Sequence, residues 1–519
     1  MIEITLPSDW VWTKLGEITE VIRGASPRPK GDPKYFGGNI PWIMISDISK
    51  ERGKYISKTK DTVTEEGARK SRYLNAGTLI LSNSGTVCVP KILAVNGCIH
   101  DGFVAFPNIS NEIIHILYLY YYFEYIRPQV IQENKQGVTQ INLNTSIVKD
   151  LLIPFPPLPE QRRIVARIEE LFSRLDAGVE ALQRAKAQLR RYRQAVLKAA
   201  VEGRLTEEWR KAHPEVEPAE KLLERISKER RCFWENRELA KMSVKGERQK
   251  KNRYKEPEVL NSIDLPELPE IWDWATLEQL SACERNSITD GPFGSNLKTS
   301  HYTSNGPRVI RLQNIGKGEF RDEKAHISED HFKKLKKHAV YPGDIVIAAL
   351  GNPAPRACLI PKWIGDAIVK ADCIRLKVIE GKISTRYVMY SLNSFPTQKR
   401  TEEVIHGVGR PRLNLGEIKN IVIPLPPIEE QKIIAEEIER SLSIADKVND
   451  TIEFNMKRSE LLRQSILKRA FGGRLVPQDH GEEPASMLLE RIEAERAKAA
   501  PKRGRKNSSN SARQMRITQ

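Results

Sequence analysis

The sequence has few of the residues that build disulfide or metal frameworks. Its 519 residues include six cysteines, at positions 88, 98, 232, 283, 358 and 373, and no two have the C-x₂₋₄-C spacing of a zinc site. This count is low for a disulfide scaffold of such length, so we expect isolated thiols in a reducing compartment. The nine histidines form no H-E-x-x-H motif, and we predict no metal site.

Long apolar runs are also missing. The most apolar stretch, Ile113–Ile126, is too short to span a bilayer, and His115 and Glu124 interrupt it. Its aromatic residues could stack on bases, but the pattern favours a buried core helix. The first residues, MIEITLPSDW, show no basic stretch followed by an apolar one. We therefore expect no secretory signal and a cytoplasmic protein.

Motifs for bond-making chemistry are absent as well. No G-x-x-x-x-G-K-[ST] phosphate loop occurs. The segment Gly351–Pro355, GNPAP, lacks the second adjacent proline and the aromatic residue of an amino-methyltransferase loop. Asp322-Glu323-Lys324 contains the D-x-K part of a nuclease site without a clear acidic partner upstream. We predict that the chain is not an enzyme.

Positive charge is present in excess. Lys and Arg number 84 against 67 Asp and Glu, which gives a net charge of +17. Such a surplus indicates a polyanionic partner, most commonly nucleic acid, or alternatively a soluble basic surface.

The chain also contains an internal repeat. IPFPPLPEQRRI begins at Ile153 and IPLPPIEEQKII at Ile423, a shift of 423 − 153 = 270 positions. This shift holds from 137–144 against 407–414 through to 193–205 against 463–475. The domain starts, LPSDWVWTKLGEI at Leu6 and LPEIWDWATLEQL at Leu268, match at a shift of 262. The sequence therefore predicts a tandem duplication.

The middles of the repeats, 19–136 and 281–406, share a rhythm but few residues. Strand-like runs such as 77–85 and 343–351 are followed by apolar segments of helix length. Each half therefore predicts one mixed α+β domain followed by one long helix.

Each proline box is followed by a heptad pattern. Proline lacks the N–H that a helix interior requires, so we expect each helix to start after the prolines of its box. The predicted seam residues, which are also candidates for subunit docking, are Ile164, Ile168, Leu171, Leu175, Leu182 and Leu189 in the first copy, and Ile434, Ile438, Ile452 and Leu462 in the second. The second seam contains polar residues, which favours pairing of the two unequal helices within one chain. About 40 residues make a rod of about 60 Å; the alternative is two generic amphipathic helices.

The predicted fold class is α+β: two mixed α/β domains in a pseudo-two-fold arrangement, separated by two long antiparallel coiled-coil helices. The predicted segments are a first domain, a first spacer helix, a charged linker with a short helix, a second domain, a second spacer helix, a short C-terminal helix and a disordered basic tail. Their boundaries are 1–153, 154–205, 206–265, 266–423, 424–475, 476–496 and 497–519.

The boxes PPLPEQRRI and PPIEEQKII and the helix ends AVEGRL and FGGRL resemble those of type I restriction–modification specificity subunits. The resemblance covers residues 1 to about 495. It implies a non-catalytic subunit that recognises an asymmetric two-part sequence in double-stranded DNA. It also implies two methyltransferase subunits, and endonuclease/translocase subunits, as partners. S-adenosylmethionine, ATP and Mg would serve those partners, and this chain would bind no cofactor.

Candidate DNA contacts lie in Gly-containing loops with cations or amides. Arginine suits guanine or phosphate and amide side chains suit adenine, so differing loops predict differing half-sites. Plain structural turns are the alternative. The candidates are Arg23, Arg28, Lys30, Lys135, Gly137, Gln140 and Asn142 in the first half, and Ser295, Asn296, Lys298, Gly407, Gly409, Arg410 and Arg412 in the second.

Two other functions stay open at this point. One is an architectural coiled-coil DNA-binding protein without sequence preference, which would bind unrelated duplexes equally. The other is a self-contained modification–restriction enzyme, which would need the methyltransferase or ATPase motifs that the sequence lacks.

Overall fold

A computed structural model describes residues 5–50, 53–83, 86–110, 112–134, 143–245, 254–257, 265–351, 353–402 and 412–499. The chain divides into two compact units. Unit 1 is Met1–Leu182 with Phe454–Gln519, and unit 2 is Gln183–Glu453. Each unit thus holds one domain, the first part of one long helix and the second part of the other.

The elements of the first domain run from β1 to α6, the first long helix. The strands are β1 (Val11–Lys14), β2 (Ile22–Arg23), β3 (Phe36–Ile43), β4 (Tyr55–Ile56), β5 (Asp61–Val63), β6 (Arg72–Leu74), β7 (Leu79–Ser82), β8 (Pro90–Leu93), β9 (Gly97–Ile99), β10 (Phe103–Phe106) and β11 (Leu152–Phe155). The helices are α1 (Leu15–Ile18), α2 (Ile45–Lys50), α3 (Glu65–Arg69), α4 (Ile116–Asn134), α5 (Thr145–Asp150) and α6 (Leu158–Val201).

The linker and the second domain follow. The strands are β12 (Asp273–Thr276), β13 (Ile288–Asp290), β14 (Tyr302–Ile310), β15 (His326–Ile327), β16 (Ala339–Val340), β17 (Ile345–Ala348), β18 (Arg356–Leu359), β19 (Ala367–Val369), β20 (Cys373–Leu376) and β21 (Val422–Leu425). The helices are α7 (Glu207–Ala212), α8 (Ala219–Lys245), α9 (Leu277–Leu280), α10 (Glu329–Lys334), α11 (Thr385–Asn393), α12 (Phe395–Glu402), α13 (Leu415–Lys419), α14 (Ile428–Phe471) and α15 (Ala485–Ala499).

The two domains share one sheet plan although their middle sequences differ. In unit 1 the sheets have the strand orders β2-β10-β7-β8-β4 and β5-β3-β9-β6. In unit 2 the corresponding orders are β13-β20-β17-β18 and β15-β14-β19-β16. In each domain one long strand pairs in parallel with a short one, β3 with β9 and β14 with β19. The predicted mixture of helix and strand is confirmed for both halves.

The proline boxes lie beside the domain starts. Strand β11, which contains the first proline of the box, pairs antiparallel with β1, and β21 pairs with β12 in the same way. These two-stranded sheets use no central strand, which is where proline would remove a ladder hydrogen bond. The duplicated domain start and the duplicated box are therefore one structural element in each unit.

In unit 1 the box ends at a buried carboxylate in the first turn of α6. Trp10 Nε1 donates to Glu160 Oε2 at 2.8 Å, and Gln478 Nε2 donates to Glu160 Oε1 at 2.6 Å. Burial raises the pKa of Glu160, while the hydrogen bonds from Trp10 and Gln478 oppose that shift. Both donors are uncharged.

In unit 2 the equivalent carboxylate has a cation. Trp272 Nε1 donates to Glu430 Oε2 at 2.7 Å, and both Thr206 Oγ1 and Arg210 Nη1 donate to Glu430 Oε1 at 2.6 Å. The Glu430 side chain is fully buried and that of Arg210 is 15% exposed. A buried charge needs such partners, because an isolated one would be very costly.

The glutamine that follows each buried glutamate completes the box. Gln161 Nε2 donates to the Pro156 carbonyl at 3.0 Å, and Gln431 Nε2 donates to the Pro426 carbonyl at 2.9 Å. Both amide groups are fully buried. Since proline offers a carbonyl but no N–H, these bonds explain why the pair Glu-Gln follows the prolines in both repeats.

Each long helix begins in one unit and ends in the other. The segment that follows the helix packs on the domain of the unit in which the helix ends. In unit 1 the Ala485 N–H donates to the Asp9 carbonyl at 3.1 Å. In unit 2 the Ala219 N–H donates to the Ile271 carbonyl at 3.0 Å. The apolar residues that α15 and α8 bury are Ala485, Leu488 and Ile492, and Ala219, Leu222 and Ile226. Helix α8 continues for 27 residues, longer than the short helix predicted for the linker.

The two long helices pair antiparallel within each unit. Ion pairs join Asp176 to Arg463 in unit 1, and Lys186 to Glu453 and Arg193 to Asp446 in unit 2. Each step forward along α6 is matched by an equal step backward along α14. Asp176 and Asp446 occupy the same repeat position, as do Arg193 and Arg463. Each unit therefore holds the same Asp–Arg pair, and the predicted antiparallel pairing is confirmed.

Burial along α6 and α14 follows the heptad pattern except at one predicted position. Leu462 is 41% exposed and lies outside the seam, because the neighbouring Arg463 turns inward over the Phe172 ring, 4.5 Å from its centroid. The other predicted seam residues are buried at Ile164, Ile168, Ile434, Ile438 and Ile452, and half-buried at Leu171, Leu175, Leu182 and Leu189.

We expect Arg210→Met to destabilise unit 2 by about 3 kcal/mol, the low end of the range for breaking a buried ion pair. The effect is at the low end because Thr206 and Trp272 still donate to Glu430. Arg204→Met is the control, since its partner Glu202 is 38% exposed, and should cost less than about 1 kcal/mol. Urea unfolding of the full chain measures both, and equal losses would contradict the buried-pair account.

Candidate nucleic-acid interface

Each unit brings one predicted loop against one turn between two strands. In unit 1, loop A (residues 23–31) lies against turn A (residues 100–102, between β9 and β10). In unit 2, loop B (residues 290–298) lies against turn B (residues 370–372, between β19 and β20). The loops were predicted as DNA contacts, whereas the turns were not.

Loop A is fixed to turn A by backbone and side-chain hydrogen bonds. Arg23 Nε donates to the Asp101 carbonyl at 3.2 Å, and Ser26 Oγ donates to Asp101 Oδ1 at 2.9 Å. Arg28 and Lys30 are exposed. The loop is therefore held at its base while two cations face solvent.

A glycine permits the close approach of each loop to its turn. A Cβ added at Gly24 would lie 2.1 Å from the His100 carbonyl oxygen. One added at Gly291 would lie 2.0 Å from the Lys370 carbonyl carbon. No side chain fits at either place, so the two glycines mark the same construction in both units.

The ends of β7 and β17 connect turn A to Leu143 and turn B to Leu413. In unit 1 the Asn83 N–H donates to a turn A carbonyl at 2.9 Å, and the Leu143 N–H donates to the Asn83 carbonyl at 3.0 Å. In unit 2 the Ala349 N–H donates to a turn B carbonyl at 2.9 Å, and the Leu413 N–H donates to the Ala349 carbonyl at 2.9 Å. The repeated Leu-Asn motif is thus anchored beside the turn in both domains.

Several predicted contacts precede these anchors. Lys135, Gly137, Gln140, Asn142, Gly407, Gly409 and Arg410 lie outside the described residues, and their roles stay predictions. The anchors Leu143 and Leu413 themselves lie next to the turns.

In unit 2 the first described residue after that segment reaches both loop B and turn B. Arg412 Nε lies 2.8 Å from Asp372 Oδ1, and the Arg412 guanidinium lies 5.0 Å from the centroid of the Phe293 ring. The Arg412 side chain is 47% exposed. A guanidinium held on one edge and one face retains donors for a guanine or a phosphate.

The other candidates on loop B are exposed around a buried anchor. Ser295, Asn296 and Lys298 face solvent, while Leu297 is buried. A ring nitrogen of His331, Nε2, lies 2.9 Å from the Asn296 carbonyl oxygen. The loop therefore presents three polar side chains on a fixed backbone.

We call loop A with turn A site A, and loop B with turn B site B. The positive charge of site A comes from Arg28 and Lys30 of loop A and not from His100 of turn A. Burial lowers the pKa of His100, and the nearby cations Lys30 and Arg28 lower it further against the opposing carboxylate of Asp101. The ring is therefore mainly uncharged at neutral pH, where it offers hydrogen bonds and not a cation.

Sequence reasoning missed Asn83, Asp101, Phe293 and Asp372. Asn83 directly follows β7 and Asp101 follows β9 by two residues, while Asp372 directly precedes β20. A rule that polar residues at the ends of buried strands are candidate contacts could have found three of them. Phe293 gave no such signal, because an aromatic residue in a loop is usually structural.

Two kinds of site are missing from the described residues. No group of three or more His, Cys, Asp and Glu side chains there could hold a metal ion. Among the same residues no helix is long and apolar enough to cross a membrane.

The chain is similar to known proteins over most of its length. The family model described as "Type I restriction modification DNA specificity domain" matches residues 7–184 and 298–453. Over 521 residues the chain is 24% identical to the EcoDI type I restriction enzyme specificity subunit of Escherichia coli, covering 97% of this chain and 99% of that one. The EcoBI specificity subunit, also from Escherichia coli, is 28% identical over 382 residues, covering 72% and 70%.

A solved structure shows the same fold. It comes from work on the complex assembly and conformational transition of the type I R-M system, and the match has a TM-score of 0.61 at 18% identity. The match covers 91% of this chain and 99% of that chain.

We expect Gly24→Ala to displace loop A from turn A and to destabilise unit 1 by about 1–3 kcal/mol, the usual cost of overpacking. Gly53→Ala is the control, because nothing lies within 4 Å of a Cβ added there, and it should change stability by less than about 0.5 kcal/mol. Thermal unfolding of the full chain with hydrogen exchange at residues 99–103 measures both effects. Unchanged exchange in Gly24→Ala would contradict the close packing.

Proposed function

Because the chain belongs to the type I restriction modification DNA specificity domain family, we propose that it recognises a bipartite, asymmetric DNA sequence for a type I restriction–modification complex. Each domain contacts one half-site through its loop, its turn and the segment before Leu143 or Leu413. The observation that carries this proposal is the same loop-and-turn construction in both units with different side chains at its surface.

The difference between the sites supports an asymmetric target. Site B presents Arg412 beside Phe293, whereas site A presents the cations of loop A and, in the segment before Leu143, the predicted amides Gln140 and Asn142. Arginine suits guanine and amide side chains suit adenine. The two half-sites therefore differ in sequence, and a duplex with one half inverted is a poorer ligand.

The paired helices set the length of the uncontacted spacer. Their ion pairs keep one antiparallel register, so α6 and α14 cannot slide without breaking them. A rod of fixed length between two recognition domains selects half-sites at one separation.

The chain supplies recognition and assembly, not bond-making. It holds the methyltransferase and endonuclease subunits, which bring S-adenosylmethionine, ATP and Mg to the complex. The chain acts on DNA in the cytoplasm. The absence of phosphate-loop and methyltransferase motifs from the sequence supports this division of labour.

Methylome sequencing of a host that expresses the chain with its cognate methyltransferase subunit tests the proposal. We expect one split motif with a fixed gap. Arg412→Ala should relax one position of one half-site, at a cost of about 1–3 kcal/mol or roughly tenfold to a hundredfold in discrimination. The other half-site should keep its sequence.

Lys377→Ala is the matched control, since Lys377 is a cation of the same unit paired to Glu284 outside both loop B and turn B. It should leave the motif unchanged. A continuous motif, or changes in both half-sites from Arg412→Ala, would refute the assignment.

Removing one heptad from each helix, residues 177–183 and 447–453, should shorten the spacer. Seven residues are about 10.5 Å of helix, which is about three base pairs at roughly 34 Å per helical turn of DNA. The deletions retain the Asp176–Arg463 and Arg193–Asp446 pairs in register. The methylome should show the same half-sites with a shorter gap.

Deleting 177–183 alone is the control, because it breaks the register and should abolish specific methylation. An unchanged gap in the double deletion would mean that the helices do not measure the spacer.

A further inference from the structure

A cleft that neither recognition site uses lies in unit 2 between α8, residues 254–257 and the chain that starts at α9. Its volume is about 150 Å³, whereas a pocket that encloses a whole ligand has roughly 300–1,000 Å³. The cleft therefore has room for one part of a ligand, such as a single flat ring system. Its lining includes Arg230, Phe233, Trp234, Arg237, Tyr254 and Lys255.

One stripe of α8 supplies both aromatic rings and cations to this cleft. Its members follow the spacing i, i+3, i+4, i+7 and so lie on one side of the helix: Arg230, Phe233, Trp234 and Arg237. The Tyr254 ring lies against Trp234, with centroids 5.6 Å apart and planes tilted by 52°. Phe233 is 46% exposed, and neither Phe233 nor Trp234 belongs to the buried core of unit 2. These rings therefore offer a flat surface on which a ligand can stack.

Cations also line the cleft. Arg230 Nη1 donates to a backbone carbonyl of the chain after α9 at 2.5 Å, which fixes the position of that side chain. Among the residues that the structure describes, Arg237 and Lys255 form no ion pair. Glu278, a carboxylate of the lining, is already paired with Lys419 at 2.9 Å. Two cations are therefore available to an anionic ligand.

The cleft lies at the end of the sheet that is remote from turn B. Ser281, two residues before the cleft residue Cys283, forms a bridge with Val378. Val378 is 378 − 372 = 6 residues beyond Asp372 of turn B, and β20 lies between them. Six residues of extended chain span about 20 Å. A ligand in the cleft is therefore held apart from the loop and the turn of site B.

The aromatic side chains of the cleft distinguish the two repeats. PAEKLLERI, which begins at position 218, and PASMLLERI, which begins at position 484, align at a shift of 484 − 218 = 266. At that shift Phe233 and Trp234 correspond to Ala499 and Ala500. Because alanine offers no ring for stacking, we expect one such site per chain.

We propose that this cleft binds one nucleoside phosphate, with the base stacked on the aromatic side chains and the phosphates on Arg237 and Lys255. Stacking on aromatic side chains beside cations is how proteins bind nucleotides without reading their sequence. The site goes beyond the proposed function, because it lies apart from site B and needs no duplex. A free nucleotide and the end of a single strand share this chemistry, and competition between the two identifies the source.

Duplex DNA and inorganic polyphosphate are poorer ligands for the cleft. The bases of a duplex are stacked on each other, so a base reaches Trp234 only if it leaves the helix. Phosphate groups alone would contact Arg237 and Lys255 and would leave the aromatic rings in water. A ligand that uses both parts of the cleft therefore needs a base as well as a phosphate.

Equilibrium dialysis of the full chain against radiolabelled ATP at physiological salt measures the binding. We expect one ATP per chain, and we expect adenosine and inorganic triphosphate each to bind about tenfold more weakly than ATP or worse. Trp234→Leu should weaken ATP binding about tenfold, because it removes a stacking surface. Arg237→Gln should weaken it about fivefold, because it removes a charge-assisted hydrogen bond to phosphate.

The control variants make the same two substitutions in unit 2 outside the cleft. Trp363 is 60% exposed and Arg321 is also exposed, so Trp363→Leu and Arg321→Gln should bind ATP like the wild type. Arg237 is exposed as well, so its variant should fold normally and tests the site even if Trp234→Leu is unstable. Both cleft variants should keep the methylome motif of the wild type.

A short oligothymidylate identifies the source of the ligand. If it displaces labelled ATP better than unlabelled ATP does, the cleft binds a single strand; if it displaces less, the cleft binds a free nucleotide, and both results support the proposal. Binding of neither ligand by the wild type, undiminished binding in both cleft variants, or an equal loss in the controls would overturn it. Displacement of ATP by a duplex with the methylome motif would place the nucleotide at a recognition site and would also overturn it.

Discussion

The buried glutamate at the start of each long helix is the constraint on which the structure depends. A carboxylate inside protein requires donors, and here each carboxylate takes them from two separate parts of the chain. Glu160 uses Trp10 from its own domain start and Gln478 from beyond the other long helix. Glu430 likewise uses Trp272 and, from beyond α6, Thr206. Each carboxylate therefore takes one donor from its own repeat and another from the segment that follows the long helix of the other repeat.

The two buried carboxylates accept hydrogen bonds from different kinds of donor. Glu430 is paired with a cation, Arg210, which lies on α7. Glu160 faces only neutral donors, and burial raises its pKa. Its donor Gln478 lies in the segment that precedes α15. A raised pKa for a buried acid means that the stability it contributes is lost as pH rises through that pKa, so the unit 1 junction loses stability as the pH rises from acid towards neutrality.

Sequence analysis predicted the repeat, the strands of 77–85 and 343–351 and the antiparallel pairing, because each depends on local spacing. The predicted start of the first long helix was wrong: α6 begins at Leu158 and not after the last proline, because Pro159 lies in the first turn, where its missing N–H costs no helical hydrogen bond. The prediction was wrong at Leu462, because heptad spacing alone does not show that the long side chain of Arg463 occupies the seam instead. Arg463 takes that position because it finds both Asp176 and Phe172. Asn83, Asp101 and Asp372 escaped prediction because their importance depends on which turns meet which loops, a consequence of strand order that no local pattern contains.

The buried residues that join each domain to its long helix are separate from the exposed loops. One fold can therefore carry two different loop surfaces. The residues that position the domains are buried in the strand pair beside the proline box and at the helix start. Loops A and B and turns A and B lie outside every strand of the two sheets except at their ends. The glycines at positions 24 and 291 let each loop touch its turn. Exposed side chains such as Arg28 or Ser295 can therefore change without disturbing Glu160 or Glu430, so the loop surfaces are free to vary while the buried helix starts stay the same.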